Sequence, residues 1–277
     1  MSSFRFLQSA LTLVVAILLG GCTTIKFPAT PVAPTIVAGN WFFYSITADG
    51  TPPSQRLPFS LGGSLLLTGK TQVSGIFHLD QSCLGSITTD IPYAGVISGD
   101  QMTLTSSPVN GEVLNIQGTL DASGTKFHGD SLTLTGPCSG TIVALTGPNG
   151  PGSSYNPLGN QQPALNGSWS TNPTNPDPQI TLQLTQSDTP DAHGNFAISG
   201  TARVQGSPCF TSGTLQSPSF LSGGQGQITI LFNDGSKLSS TLLAFALQGV
   251  TKSVVTIDSA TITGGNCNTQ GANFPLQ

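Results

Sequence analysis

Three pairs of rare residues in this chain keep almost one register. Trp41 and Trp169, the two tryptophans of the sequence, stand 128 positions apart; Cys83 and Cys209 stand 126 apart, and Cys138 and Cys267 stand 129 apart. Gly39-Asn40-Trp41 opens the first copy and Gly167-Ser168-Trp169 the second. Agreement within three positions among independent landmarks marks an internal duplication, so one small architecture has to be built twice. The chain divides accordingly into an N-terminal leader over 1–21, a Pro-rich tether over 22–38, a first unit over 39–146, a Pro/Gly-rich linker over 147–166 and a second unit over 167–277. Each unit has about 105 to 110 residues, an ordinary domain size. Few apolar side chains lie in the linker, so the two units are expected to fold independently.

The duplication also pairs the cysteines. Setting Cys22 aside, the four that remain allow three pairings, and a copied unit selects Cys83 with Cys138 and Cys209 with Cys267. Each bridge would close a loop of 55 to 58 residues, worth about 4 kcal/mol in the chain-entropy picture. Zinc is the rival use for these thiols. No C-x-x-C pair occurs, and the histidines are distant in sequence, so no metal site is expected.

Only 8 basic and 12 acidic residues occur among 277, so polarity rests on 66 serines and threonines and on 34 glycines. That mixture suits strands and turns and is poor for helices. In the first unit the pattern predicts strands over 41–46, 64–68, 73–79, 91–97, 101–105, 113–120, 127–135 and 139–145. In the second it predicts 179–186, 195–204, 213–216, 227–232, 238–247 and 254–262. Ile180, Leu182 and Leu184 alternate with Thr181, Gln183 and Thr185, as in an antiparallel strand with one wet face. Asn110-Gly111 and Asp234-Gly235 are tight-turn signals joining sequential neighbours. The fold class is therefore all-β: two tandem antiparallel meanders, each a small up-and-down barrel, with immunoglobulin-like sandwiches as the alternative. The sandwich fits less well, because it wants its tryptophan between the two cysteines. The Gly-x-Trp openings resemble the first strand of lipocalins and avidins, where the tryptophan plugs one end of a barrel. Biotin binding is not implied, since each unit has a single tryptophan.

The first 21 residues carry Arg5, an apolar run over 11–19 and the small pair Gly20-Gly21, the parts of a secretory signal. Nine residues are too few to span a bilayer, which takes roughly 20. Leu19-Gly20-Gly21-Cys22 resembles the bacterial lipobox. That resemblance implies cleavage before Cys22, a diacylglyceryl thioether on its sulfur and N-acylation, which together exceed what stable anchoring needs. Thr23 in place of Asp after the cysteine resembles proteobacterial lipoproteins of the outer membrane. The tether, at about 3.1 Å per residue, could hold the first unit roughly 50 Å from the lipid.

Chemistry-bearing groups are scarce. Glu112 is the one glutamate, and the histidines are His78, His128 and His193. No nucleophile elbow, phosphate loop or zincin helix occurs. His78-Leu79-Asp80 and His128-Gly129-Asp130 each place two metal-ligating groups on one strand face, but both read as solvated pairs near strand ends. Asp188, Asp191 and Asn195 resemble a calcium loop only loosely, without its ligand spacing or terminal glutamate. The run Trp41-Phe42-Phe43-Tyr44 reads as core on a strand buried on one side. No basic cluster exists to displace counterions from phosphates, which excludes nucleic acid. No catalytic residues and no cofactor are expected. The reading is a lipid-anchored envelope protein with a non-catalytic binding or structural role, its partners being the membrane through Cys22 and an envelope protein, a glycan or a small apolar ligand. A small-molecule or lipid carrier with a barrel cavity is the alternative, and an enzyme a distant third.

Mass spectrometry of the non-reduced mature protein should find an acylated N-terminal peptide at Cys22, together with bridged peptides joining Cys83 to Cys138 and Cys209 to Cys267. A bridge between the two units, or an unmodified N-terminus well downstream of Cys22, would overturn this reading.

Overall fold

The computed structural model describes residues 37–46, 60–79, 88–137, 156–171, 179–246, 254–265 and 269–276. The leader, Cys22, most of the tether, Asp80, Cys83, Cys138, Cys267 and the strand expected over 139–145 lie outside the described residues. Within them every regular element is a strand.

The first copy is a closed eight-stranded barrel: β1 Gly39–Ile46, β2 Ser60–Thr68, β3 Gln72–Leu79, β4 Ile91–Ser98, β5 Gln101–Ser106, β6 Val113–Leu120, β7 Lys126–Thr135 and β8 Asn156–Gln161. All neighbours are antiparallel, and β8 closes the ring between β7 and β1. Seven of these strands follow the expected pattern. β8 arises instead from inside 147–166, the stretch read as linker. It hid there because Pro157 and Gly159 interrupt any alternation. Gly159 is nevertheless required, since a Cβ on it would stand 2.6 Å from the Phe43 ring. Between β5 and β6 the Asn110-Gly111 turn forms as expected, with φ of 51° and 82°, the two left-handed residues of a tight hairpin.

The barrel interior is filled. Alternate residues point inward, for example Met102 and Leu104 on β5 and Leu114, Ile116 and Leu120 on β6. At its centre the Phe43 ring lies 5.5 Å from Trp41, 5.4 Å from Phe77 and 5.5 Å from Phe127, and Phe77 stacks on Tyr93 at 3.9 Å. Tyr93 donates its hydroxyl to the Ser64 carbonyl at 2.7 Å, and burial pushes the phenol well above its ordinary pKa.

The second copy is a nine-stranded antiparallel sheet: β9 Gly167–Ser170, β10 Gln179–Gln186, β11 Phe196–Gln205, β12 Ser212–Leu215, β13 Phe220–Ser222, β14 Gln225–Phe232, β15 Lys237–Phe245, β16 Val254–Thr263 and β17 Thr269–Leu276. β12 and β13 both pair β11 with β14, so together they stand where the first copy has the single strand β4. The break between them falls at Pro218, which has no N–H for a ladder. The duplication is visible in detail at the tryptophans. Trp41 Nε1 donates to the Val37 carbonyl at 2.7 Å and Trp169 Nε1 to the Leu165 carbonyl at 3.3 Å, each reaching back four residues.

The two copies touch one another, although the composition of the linker predicted few contacts between them. Contacts gather Val32–Gln277 into one compact unit. Phe42 and Tyr44, on the outer face of β1, are as buried as Trp41 and Phe43 on its inner face, so β1 is covered on both sides. Over Asn40, Phe42 and Gly62 the cover is the β13–β14 hairpin. Asn40 donates its amide to the Gly223 carbonyl at 3.0 Å and accepts from the Gly223 N–H at 2.6 Å. Beside this pair the backbones touch at Gly62 and Gly223; a Cβ on Gly62 would stand 2.6 Å from Gly223 Cα. A second seam runs through Asn160 and Gln162, whose amides bond to the backbone of Ala246.

Gly62→Ala is expected to destabilise the protein by about 1–3 kcal/mol, the usual cost of forcing atoms into a packed contact. Its φ needs no glycine, so the loss would report the approach of the second copy alone. Denaturant unfolding that leaves the midpoint unchanged would refute the contact.

Candidate functional site

Among the described residues, ionisable side chains converge at one place, the junction of the two copies. His78 comes from β3 of the barrel and Asp90 from the residue just before β4. Ser222 ends β13, and His193 sits in the hairpin between β10 and β11. That hairpin is shaped by Asp191, whose Oδ1 accepts from the backbone N–H groups of His193 and Asn195, both at 2.9 Å, while Gly194 supplies φ of +76°. This is the turn that loosely suggested a calcium loop. One oxygen of Asp191 is spent on the backbone, and no group of metal ligands exists among the described residues. Gly194 then lies against β2 and β3, where a Cβ would meet Ile76 at 2.8 Å and the Ser64 hydroxyl at 3.0 Å.

The four side chains form one line of hydrogen bonds. Asp90 Oδ2 accepts from His193 Nδ1 at 2.8 Å, and Asp90 Oδ1 lies 3.1 Å from His78 Nε2. A carboxylate only accepts, so Nε2 of His78 carries a proton; the neutral ring then accepts from the Ser222 hydroxyl at Nδ1, 2.6 Å away. Burial holds the His78 imidazole below its ordinary pKa, although the bond to Asp90 pulls the other way. Partial burial works to raise the Asp90 carboxyl, but the bonds from His193 and His78 outweigh it and hold it below its usual value. His193, exposed, is raised by its hydrogen bond to Asp90.

Contact order Ser222–His78–Asp90 is that of a nucleophile, a base and an orienting acid. The surroundings do not fit acyl transfer. Attack requires a reacting carbonyl about 3 Å from both the hydroxyl and its oxyanion donors. The cavity beside Ser222 and His78 holds about 10 Å³, the space of a single water. The adjacent donor, the N–H of Gly223, is already bonded to Asn40. The line of bonds as it stands joins the barrel to the second copy.

The structure alters one reading of the sequence. His78 does not face water: it is 6% exposed, because the second copy covers the outer face of β3. His78 and His193 meet through Asp90, whereas His128 and Asp130 are exposed, as expected. Nothing in sequence spacing could have brought the four together, since His78 is 12 residues from Asp90 and 144 from Ser222, and Asp90 is 103 from His193. Of the cysteines, Cys209 is disulfide-bonded; the others lie outside the described residues. Comparison of the chain with protein-family models, with curated proteins and with solved structures finds no match.

The two histidines give opposite pH dependences. His193, raised in the fold, contributes stability that is fully present below its unfolded value near 6.5 and is lost as pH rises through its folded value. His78, lowered in the fold, costs stability as pH falls below 6.5, where the unfolded chain takes up a proton that the folded one refuses. Asp90 adds stability that is lost in stronger acid, as pH falls through its lowered folded value. Thermal unfolding against pH should therefore peak near neutrality. His193→Gln should flatten the alkaline limb and His78→Gln the limb just below 6.5. Unchanged profiles in both variants would show that these bonds do not form.

Proposed function

We propose that this chain is a bacterial envelope lipoprotein, held by acyl chains on Cys22, whose duplicated β-structure has a non-catalytic binding or structural role at the outer membrane. The leader and the Leu19-Gly20-Gly21-Cys22 sequence support the anchor. Aromatic filling of the barrel carries the non-carrier part of the reading: Trp41, Phe43, Phe77, Tyr93 and Phe127 occupy the space in which a barrel carrier would hold its cargo. Closure of the space around Ser222 and His78 speaks against hydrolysis. The outer faces of the strands offer hydroxyl and amide groups paired across the ladder, such as Thr105 with Asn115 and Gln101 with Thr119. Such a neutral polar surface suits an envelope protein or a glycan as partner better than a strongly charged polymer.

Density fractionation of cell envelopes should place the native chain with outer membranes, and detergent should be needed to release it. The purified protein should hydrolyse p-nitrophenyl esters no faster than its Ser222→Ala variant. A native chain found free in the periplasm would refute the anchor, and turnover lost in both Ser222→Ala and His78→Gln would replace the non-catalytic reading with a hydrolase.

A further inference from the structure

The two copies differ most at their opening strands. β1 runs eight residues and is paired on both sides, with β2 and β8. β9 runs four, and its one partner among the described strands is β10. It stops just ahead of Pro173, Pro176 and Pro178, which have no N–H to give to a ladder. The seam that β8 closes in the first copy thus has no hydrogen-bonded counterpart among the described strands of the second. Trp41 is completely buried, whereas its duplicate Trp169 is only partly buried. Beside Trp169 lies a cavity of about 180 Å³, lined by Ala164, Leu165, Ala244, Ala246 and Val255 among others, with one further polar side chain, Gln162.

We propose that this cavity binds a small uncharged aromatic molecule of about the size of one benzene ring. Its two polar side chains already have partners. Gln162 accepts from the Ala246 N–H at 2.7 Å and donates to the carbonyls of Asn160 and Ala246 at 3.2 and 3.3 Å, and the indole N–H of Trp169 is bonded to Leu165. A charged or strongly polar ligand would shed its water here and gain no bond in return. A cavity of about 150 Å³ takes up benzene, so this one, open on one side, is large enough for such a ring. Trp169 supplies an aromatic partner for offset or edge-on contact, which a saturated ligand of the same volume would not exploit. The site goes beyond the anchored-scaffold reading and does not depend on it, since it belongs to the second copy and not to the lipid.

Bromobenzene, whose heavy atom quenches an indole it touches, tests the site in the full lipidated chain in detergent. Uptake into micelles gives a background that rises linearly, whereas a site gives quenching that saturates. Saturable quenching is expected in the wild type. It should vanish in Trp169→Phe, where the buried Trp41 alone emits, and weaken by about tenfold or more in Ala246→Leu, which fills the cavity. Ala164→Leu, at a more exposed point of the lining, makes the same test if Ala246→Leu loses its strand-type circular dichroism. Linear quenching in the wild type, or saturation unaltered in a folded cavity-filling variant, would overturn the proposal. Neither result bears on where the chain is anchored.

Discussion

The backbone contact between Gly62 and Gly223 is the constraint on which the rest of this structure depends. A strand and a hairpin turn can approach this closely only where neither carries a side chain, and the approach brings the amide of Asn40 onto both polar groups of Gly223. Once β13 and β14 lie against β1 and β2, the outer face of the barrel's first strands is no longer a surface. Phe42 and His78 become interior residues, and from the buried His78 the bonds run outward through the partly exposed Asp90 to His193 at the surface. A buried polar group without a partner costs about 1–3 kcal/mol, so the junction is stable only with its bonds made.

Much of the architecture was legible because the signals were local. The alternation of Ile180, Leu182 and Leu184 and the Asn110-Gly111 turn are read from neighbouring residues, and both appear as expected. The register of Trp41 with Trp169 survives as a repeated hydrogen bond to the residue four positions earlier. What escaped was decided by distant partners. β8 is a strand because β1 and β7 offer it two ladders, not because Asn156-Pro157-Leu158-Gly159 favours extension. Its role in closing the barrel turns part of an apparent linker into structure. His78 looked solvated because its own strand places Phe77 and Leu79 among the barrel's apolar residues, and the strand says nothing about a second copy covering the opposite face. The candidate site was illegible for the same reason: its four side chains come from four separate segments.

Duplication followed by divergence accounts for the contrast between the copies. The first is a closed ring whose centre is packed with aromatics. The second has two short strands, β12 and β13, on either side of Pro218 where the first has one, and a shorter opening strand ahead of a proline-rich stretch. The β13–β14 hairpin meets the barrel, and the shorter opening strand leaves Trp169 beside a cavity. One copy thus serves as a solid support and the other provides both the junction and the space for a ligand.

The central claim is that the two copies form one cooperative body. Differential scanning calorimetry of the intact protein, set beside chains cut between Gln162 and Pro163, tests it most directly, because that cut leaves β8 and Gln162 with the barrel and Leu165 with the core of the second copy. A single transition is predicted for the intact chain, with calorimetric and van't Hoff enthalpies equal, and each separated half should melt at a lower temperature than the whole. Two transitions in the intact chain that reproduce those of the separated halves would contradict the account.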